Sequence, residues 1–373
     1  MAKSTKPPSA QVGVSRRKLL VGVGATAALA ACGQVPVALG QSADATMLDG
    51  DAATSPPVDA GGDVAVDAAT DVSASADVPS AGPLLDPITP NERYYVTSCC
   101  PTPTVDAASW VMTITDRGKL VATFDMAFLE SLKPRDKEHT LECISGGPAY
   151  NQISNGIWTG LPLPEIFAAK GVQVPSDVSE MKLTALDGYG TGLPTSDLTL
   201  PMWLVWRLNG VPLPPEHGFP ARLLVPNRYG MKNPKWIKDL EFVAQHYIGF
   251  WESNGWSKTA FYKPNAYIRG PEPASEVKAG KVTVFGIAFA GRDVVTKVDV
   301  RVDGGAWQPA ILDYFGKPDV WTLWRFSWDA VSGSRTLQAR CTTASGAMSL
   351  ESSEGTDLMS GYNGSMAISV TVA

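Results

Sequence analysis

Two short segments of this 373-residue chain hold the residue types best suited to chemistry. The first is Leu141-Glu142-Cys143-Ile144-Ser145-Gly146-Gly147-Pro148, a thiol set just before a Gly-Gly-Pro turn. A thiolate is a soft metal ligand, but on spacing alone a buried, inert thiol is the better reading of one isolated cysteine. The second segment runs His217-Gly218-Phe219-Pro220-Ala221-Arg222, then Val225-Pro226-Asn227-Arg228-Tyr229-Gly230-Met231-Lys232-Asn233-Pro234-Lys235-Trp236. Arginine brings a planar fork of donors and lysine a mobile point charge, both suited to an anion. For each cation a surface ion pair is the plainer alternative, and a lone histidine such as His217 is most often a satisfied structural residue.

Several further elements frame these segments. Ser15-Arg16-Arg17-Lys18-Leu19-Leu20 opens an apolar run to Ala31. The twin arginine is a Tat-type export signal, and the run is too short for a spanning helix of about 20 residues. Leu29-Ala30-Ala31-Cys32-Gly33 resembles a bacterial lipobox, which makes Cys32 the expected lipidation site and residues 1–32 the signal. Residues 33–87 contain no Lys, Arg or aromatic side chain and are rich in Ala, Asp, Val and Ser. Such a stretch buries too little apolar surface to offset its ordering entropy, so an extended acidic tether is expected. It accounts for most of the formal charge of -6. No basic tract remains to suggest a nucleic-acid partner.

The rest is long enough for a large domain and a smaller one. Short β-prone runs, Gly, Pro and Trp dominate. Met126–Leu132 and Pro164–Lys170 are the best helical segments, the second stopping at Gly171. After the joint Arg269-Gly270-Pro271-Glu272-Pro273, strands are predicted at Lys281–Ile287, Lys297–Val302, Thr322–Trp328, Thr336–Cys341 and Ala367–Val372. Asp303-Gly304-Gly305 is a hairpin turn. Strands in this series predict a β-sandwich over residues 271–373.

The chain has five cysteines. Cys341 falls on a predicted strand and reads as a buried small hydrophobe. Cys99 and Cys100 are adjacent, and two free thiols are a plainer reading than a strained ring disulfide. Removing Cys32 leaves an even number, which in an exported protein also raises disulfides.

From about Ile88 to the C-terminus the chain resembles the sulfite oxidase family of molybdopterin-dependent oxidoreductases. The resemblance rests on ordered motifs: Pro87-Ile88-Thr89-Pro90-Asn91-Glu92-Arg93-Tyr94-Tyr95-Val96, Thr140-Leu141-Glu142-Cys143, Gly156-Ile157-Trp158-Thr159-Gly160-Leu161-Pro162-Leu163, and Leu208-Asn209-Gly210-Val211-Pro212 through Pro220. It implies an α+β fold, with a molybdopterin-binding catalytic domain over residues 88–270 and an immunoglobulin-like dimerisation domain over 271–373. It implies Cys143 as the molybdenum ligand, and His217, Arg222 and Lys235 as holders of the pterin phosphate. Lys232, Tyr229, Ser98 and Cys99 are further expected cofactor contacts. The cofactor would perform oxygen-atom transfer while the protein binds and tunes it.

Two departures bear on the substrate. Thr97-Ser98-Cys99 stands where many members carry Arg-Asn-His beside the pterin, and a thiol does not reproduce imidazole hydrogen bonding. Ser145-Gly146-Gly147-Pro148 stands where sulfite oxidases carry Asn-Arg-Arg, so the cation that binds sulfite is absent. Tyr150, Tyr189, Tyr229 and Trp256 are candidates to line the pocket instead. The resulting expectation is an exported, lipid-anchored molybdenum oxidoreductase acting on sulfite or a related sulfur compound. A sulfoxide or N-oxide reductase, a cofactor-free binding protein on the same scaffold and a surface interaction protein are the alternatives. No Cys-x-x-Cys-His haem motif is present, so electrons are expected to pass to a separate cytochrome or quinone-linked membrane protein. A homodimer is a further expectation.

Overall fold

A computed structural model describes residues 84–147, 151–351 and 358–373. The expected export signal, Cys32, residues 33–83 of the expected tether and Tyr150 lie outside the described residues.

The N-terminal half alternates strands with short helices. In chain order these are β1 (Val111–Asp116), β2 (Lys119–Asp125), α1 (Met126–Ser131), β3 (Arg135–Glu142), β4 (Ile153–Pro162), α2 (Leu163–Lys170), β5 (Glu180–Ala185), β6 (Gly190–Pro194), β7 (Trp203–Leu208), β8 (Val211–Pro212), β9 (Arg222–Leu224) and β10 (Ile237–Val243). The short helix α3 (Phe250–Ser253) follows. The C-terminal half contains β11 (Asn265–Gly270), β12 (Glu276–Val277), β13 (Gly280–Phe289), β14 (Val295–Val302), β15 (Gln308–Pro309), β16 (Ile311–Tyr314), β17 (Thr322–Ala330), β18 (Gly333–Thr343) and β19 (Ile368–Val372).

Local chemistry explains both predicted helices. The Asp125 carboxylate accepts the Phe128 amide and caps α1. α2 carries a proline in its first turn and ends on Gly171 at φ 73°, the left-handed conformation that glycine adopts without penalty.

One sheet has the order β2-β1-β10-β5-β6, with β1 and β10 parallel. A second has β3-β4-β7-β8, with β9 also paired to β7. β7 shows why they stack. Leu204 and Trp206 face a core shared with Met112, Leu163, Leu183 and Leu240, whereas Trp203 and Val205 face a second cluster with Tyr94, Leu141 and Trp158. The strand alternates with period two but is apolar on both faces, because both are covered. Each such side chain, fully buried, contributes about 1.5–3 kcal/mol.

The other two sheets, β11-β13-β17-β16 and β12-β19-β18-β14-β15, sandwich one apolar cluster that includes Val284, Trp324, Val298, Val300, Ala339 and Cys341. All five strands predicted there are present; four extend further than predicted, and β19 starts one residue later, at Ile368. One boundary differs. β11 precedes the Gly270–Pro271 bond yet pairs along β13, so this sheet begins at Asn265 rather than after residue 270. The Pro/Gly signal marks the end of that first strand. A fourth apolar cluster, with Ile144, Tyr229, Met231, Phe289 and Trp321, ties the thiol segment to β13 and β17.

Candidate active site

Cys143 leaves β3 at a turn closed by two backbone bonds. Its amide donates to Gln152 O at 2.9 Å, and the Gly146 amide donates to Cys143 O at 2.8 Å. Its neighbour Glu142 points the other way, as strand alternation requires. There the buried carboxylate accepts from Tyr267 Oη at 2.8 Å and from Asn265 Nδ2. Burial lifts that carboxyl group up to about 7. Glu142 therefore pins the thiol turn to β11 while Cys143 and Leu141 face a cavity. Cys143 is 9% exposed, and its sulfur lies 3.1 Å from Ser145 Oγ.

The cavity has a volume of about 110 Å³ and opens to solvent. Its thiol side is aromatic and apolar: Ile144, Met231, Trp251 and Trp256 belong to one packed cluster, and the two indoles meet edge to face at 6.2 Å. Its other side carries His217, Arg222 and Lys235.

Arg222, on β9, is buried above the Trp158 ring at 5.3 Å. Its two terminal nitrogens donate to His217 O at 3.1 Å and Asn233 O at 3.0 Å, while its Nε–H has no partner. Lys235 Nζ donates to Glu216 O at 2.9 Å and to Ser98 Oγ. His217 Nε2 lies 3.2 Å from Asn91 O, and the imidazole meets Tyr94 edge-on. Gly218 sits at φ 111° where the segments converge; a Cβ there would press on Arg222 and Lys235 at 3.1–3.2 Å.

Electrostatics mark this side as built for an anion. Among the described residues, no carboxylate lies within ion-pair distance of Arg222 or Lys235. Burial, with Arg222 beside it, lowers Lys235 to about 8. Burial, and then Arg222, also lower the His217 imidazole. Buried cations without a counter-charge are costly, and an incoming dianion removes that cost.

The structure thus gathers Cys143, His217, Arg222, Lys235, Ser98 and Cys99 around one cavity, with Tyr189 and Trp256 also on its wall. It does not bring Lys232 or Tyr229 there. The Lys232 ammonium is fully buried and held by Glu252, Thr191 Oγ1 and Gly192 O, so it is already consumed. Tyr229 is buried, and its hydroxyl accepts the Lys263 amide at 3.3 Å. Sequence spacing could not separate Lys232 from Lys235, because their directions depend on the 3-10 turn Gly230–Lys232 and on Trp236 at φ 50°. Sequence reading also missed Tyr95, Asp187, Met231 and Trp251 as wall residues. Asn233 was missed in another role: its amide group braces the basic loop by bonds to Val225 N, Arg228 O and Tyr229 O.

A thiol on the same wall as two cations with no carboxylate at ion-pair distance suits a cofactor that carries both a metal and a phosphate. Comparison with known proteins points the same way: residues 99–251 match the family described as the oxidoreductase molybdopterin binding domain. The mitochondrial sulfite oxidase of Macaca fascicularis is 26% identical over 301 residues, covering 68% of this chain and 55% of that protein. That of Drosophila melanogaster is 27% identical over 289 residues, covering 63% of this chain and 50% of that one. The chain spans about half the length of these relatives. The uncharacterized oxidoreductase YuiH of Bacillus subtilis is 33% identical over 122 residues, covering 32% of this chain and 59% of its own. Among solved structures, the sulfane dehydrogenase SoxCD of Paracoccus pantotrophus shares the fold, with a TM-score of 0.68 and 22% identity over 77% of this chain and 82% of that one.

The residues present fit a molybdopterin cofactor. The thiol would ligate the metal, and the unpartnered Arg222 Nε–H, with Lys235 and His217, would take the phosphate.

Proposed function

We propose that this protein is a molybdopterin-dependent oxidoreductase that transfers an oxygen atom to or from a small substrate while two electrons pass in the opposite direction. The observation that carries this reading is the shared cavity of Cys143 and the uncompensated pair Arg222 and Lys235. When bound, the cofactor supplies the oxygen-atom and two-electron chemistry. Cys143 would hold the metal, its direction fixed by the Gln152 and Gly146 bonds. Arg222, oriented by two backbone carbonyls, would clamp the phosphate, and Lys235 would complete its charge. Trp251, Trp256, Met231 and Ile144 would exclude water from the thiol side.

Sulfite or a related sulfur compound fits the family resemblance. A neutral sulfoxide or N-oxide, reduced in the opposite direction, is favoured by one specific observation. Among the described wall residues, the arginine and lysine side chains are Arg222 and Lys235, both assigned to the phosphate, so neither is left for a sulfite dianion. Turnover with sulfite and with a sulfoxide, measured side by side on metal-loaded protein, decides between them. Turnover of neither, by protein that retains molybdenum, would contradict both.

The cellular setting is part of the same proposal. The Arg16-Arg17 signal and Cys32 support Tat export and a lipid anchor. No helix among the described residues is long and apolar enough to cross a membrane. A separate cytochrome or quinone-linked membrane protein would exchange electrons with the site, and the C-terminal sandwich would act as an immunoglobulin-like dimerisation domain.

A further inference from the structure

Beside the cationic side of the cavity lies a cluster that the proposed reaction does not use. Cys99, Cys100 and Asp187 place two sulfurs and a carboxylate oxygen within 4.8 Å of one another. The two sulfurs are 2.8 Å apart, and both cysteines are free thiols. Asp187 sits on the tight hairpin between β5 and β6, where the Gly188 amide donates to Ala185 O at 3.1 Å. One of its oxygens accepts the Tyr189 amide at 2.9 Å, which orients the carboxylate and leaves the other oxygen available. All three residues are half-buried, and Cys99 and Asp187 form part of the cavity wall.

We propose that Cys99, Cys100 and Asp187 form a second metal site, for a zinc-class divalent ion, with its fourth coordination position open to the cofactor cavity. Two thiolates and a carboxylate are a zinc ligand set, and three protein ligands with an open position is the arrangement of zinc sites that take an exogenous ligand. Charge supports a divalent ion. The three anionic ligands exceed it by one negative charge, and the Lys235 ammonium, shared with the proposed phosphate, interacts with both Asp187 and Cys99. Binding requires the sulfurs to spread to about 3.8 Å, as Zn–S bonds of about 2.3 Å in a tetrahedron demand. The half-exposed side chains have room to rotate. The ion would also fix the Cys99 segment, which stands where the family places other pterin contacts.

The test is a zinc titration of the reduced, desalted molybdenum-loaded protein, with cobalt substitution to read sulfur coordination. One zinc per chain beyond the molybdenum is expected, with cobalt–thiolate charge-transfer bands. Asp187→Asn should weaken zinc binding by at least about tenfold. The double variant Cys99→Ser/Cys100→Ser should abolish it, and Cys143→Ala should still bind. No zinc taken up by the reduced protein, or binding undiminished in the double variant, would overturn the proposal. Molybdenum is counted in the same samples, so failure here is distinct from failure of the cofactor assignment.

Discussion

The two sides of the cavity solve opposite problems. On the thiol side, Cys143 sits among Ile144, Met231, Trp251 and Trp256, a low-polarity wall packed on the C-terminal sheets. On the other, Arg222 and Lys235 sit beside His217 with no carboxylate within ion-pair distance of either cation, at an evident cost in charge burial. The first side is complete as folded, whereas the second is complete only with an anion. The contrast with Lys232 sharpens this. Lys232 lies three residues from Lys235, yet it is neutralised by Glu252 in the fully buried pair. The protein pairs the cation it uses for structure and leaves unpaired the cations it offers to a ligand.

The largest expected effect comes from the thiol side. Cys143→Ser should abolish turnover while leaving the unfolding transition near that of the wild type, because among the described residues the sulfur makes one short polar contact, to Ser145 Oγ. Retained full activity would break the comparison. Next comes the structural cation. Lys232→Met leaves Glu252 buried without its partner, and breaking such a pair costs about 3–5 kcal/mol. Denaturant unfolding should show that loss, while each molecule that folds keeps its phosphate affinity. A specific loss of phosphate affinity would instead place Lys232 in the site.

Arg222→Lys keeps the charge but loses the planar fork. Removal of one charged hydrogen bond, worth about 1.5–3 kcal/mol, should weaken inorganic phosphate binding to cofactor-free protein by roughly 10- to 150-fold. Calorimetry at constant ionic strength measures this. The smallest effect is a pH dependence. Burial lowers Lys235 to about 8 in the folded, cofactor-free protein, against about 10.4 in an unfolded chain. Between these values the unfolded chain binds more protons, so this group makes stability rise with pH across that window. Below about 8 both states are protonated and the full cost of the buried charge is present. Phosphate affinity should fall as pH rises through about 8, and Lys235→Met should remove that dependence. An unchanged profile in the variant would show that Lys235 does not hold the anion.

Much of the fold was legible because it follows local rules. The helix ending at Gly171 and the alternating Val298, Val300 and Val302 need only neighbours in sequence. The strands of the N-terminal half were harder, since β7 is apolar on both faces and has no clean alternation. The start of the C-terminal sheet was missed because β11 is separated from β13 by the Pro-rich joint. At the site, residue type and ordered motifs singled out Cys143, His217, Arg222 and Lys235, which share one cavity wall. Asp187 and Trp251 come from distant loops, and only tertiary packing brings them to the wall. Lys232 was assigned to the cofactor from its type and register, and Glu252, 20 residues away in sequence, decides otherwise.

The most direct test is metal and pterin analysis of the protein exported through its own signal, beside Cys143→Ala. One molybdenum and one pterin per wild-type chain, with the metal lost from the variant, is the predicted result. Well-folded, exported wild-type protein without molybdenum would contradict the account and favour a binding protein on this scaffold.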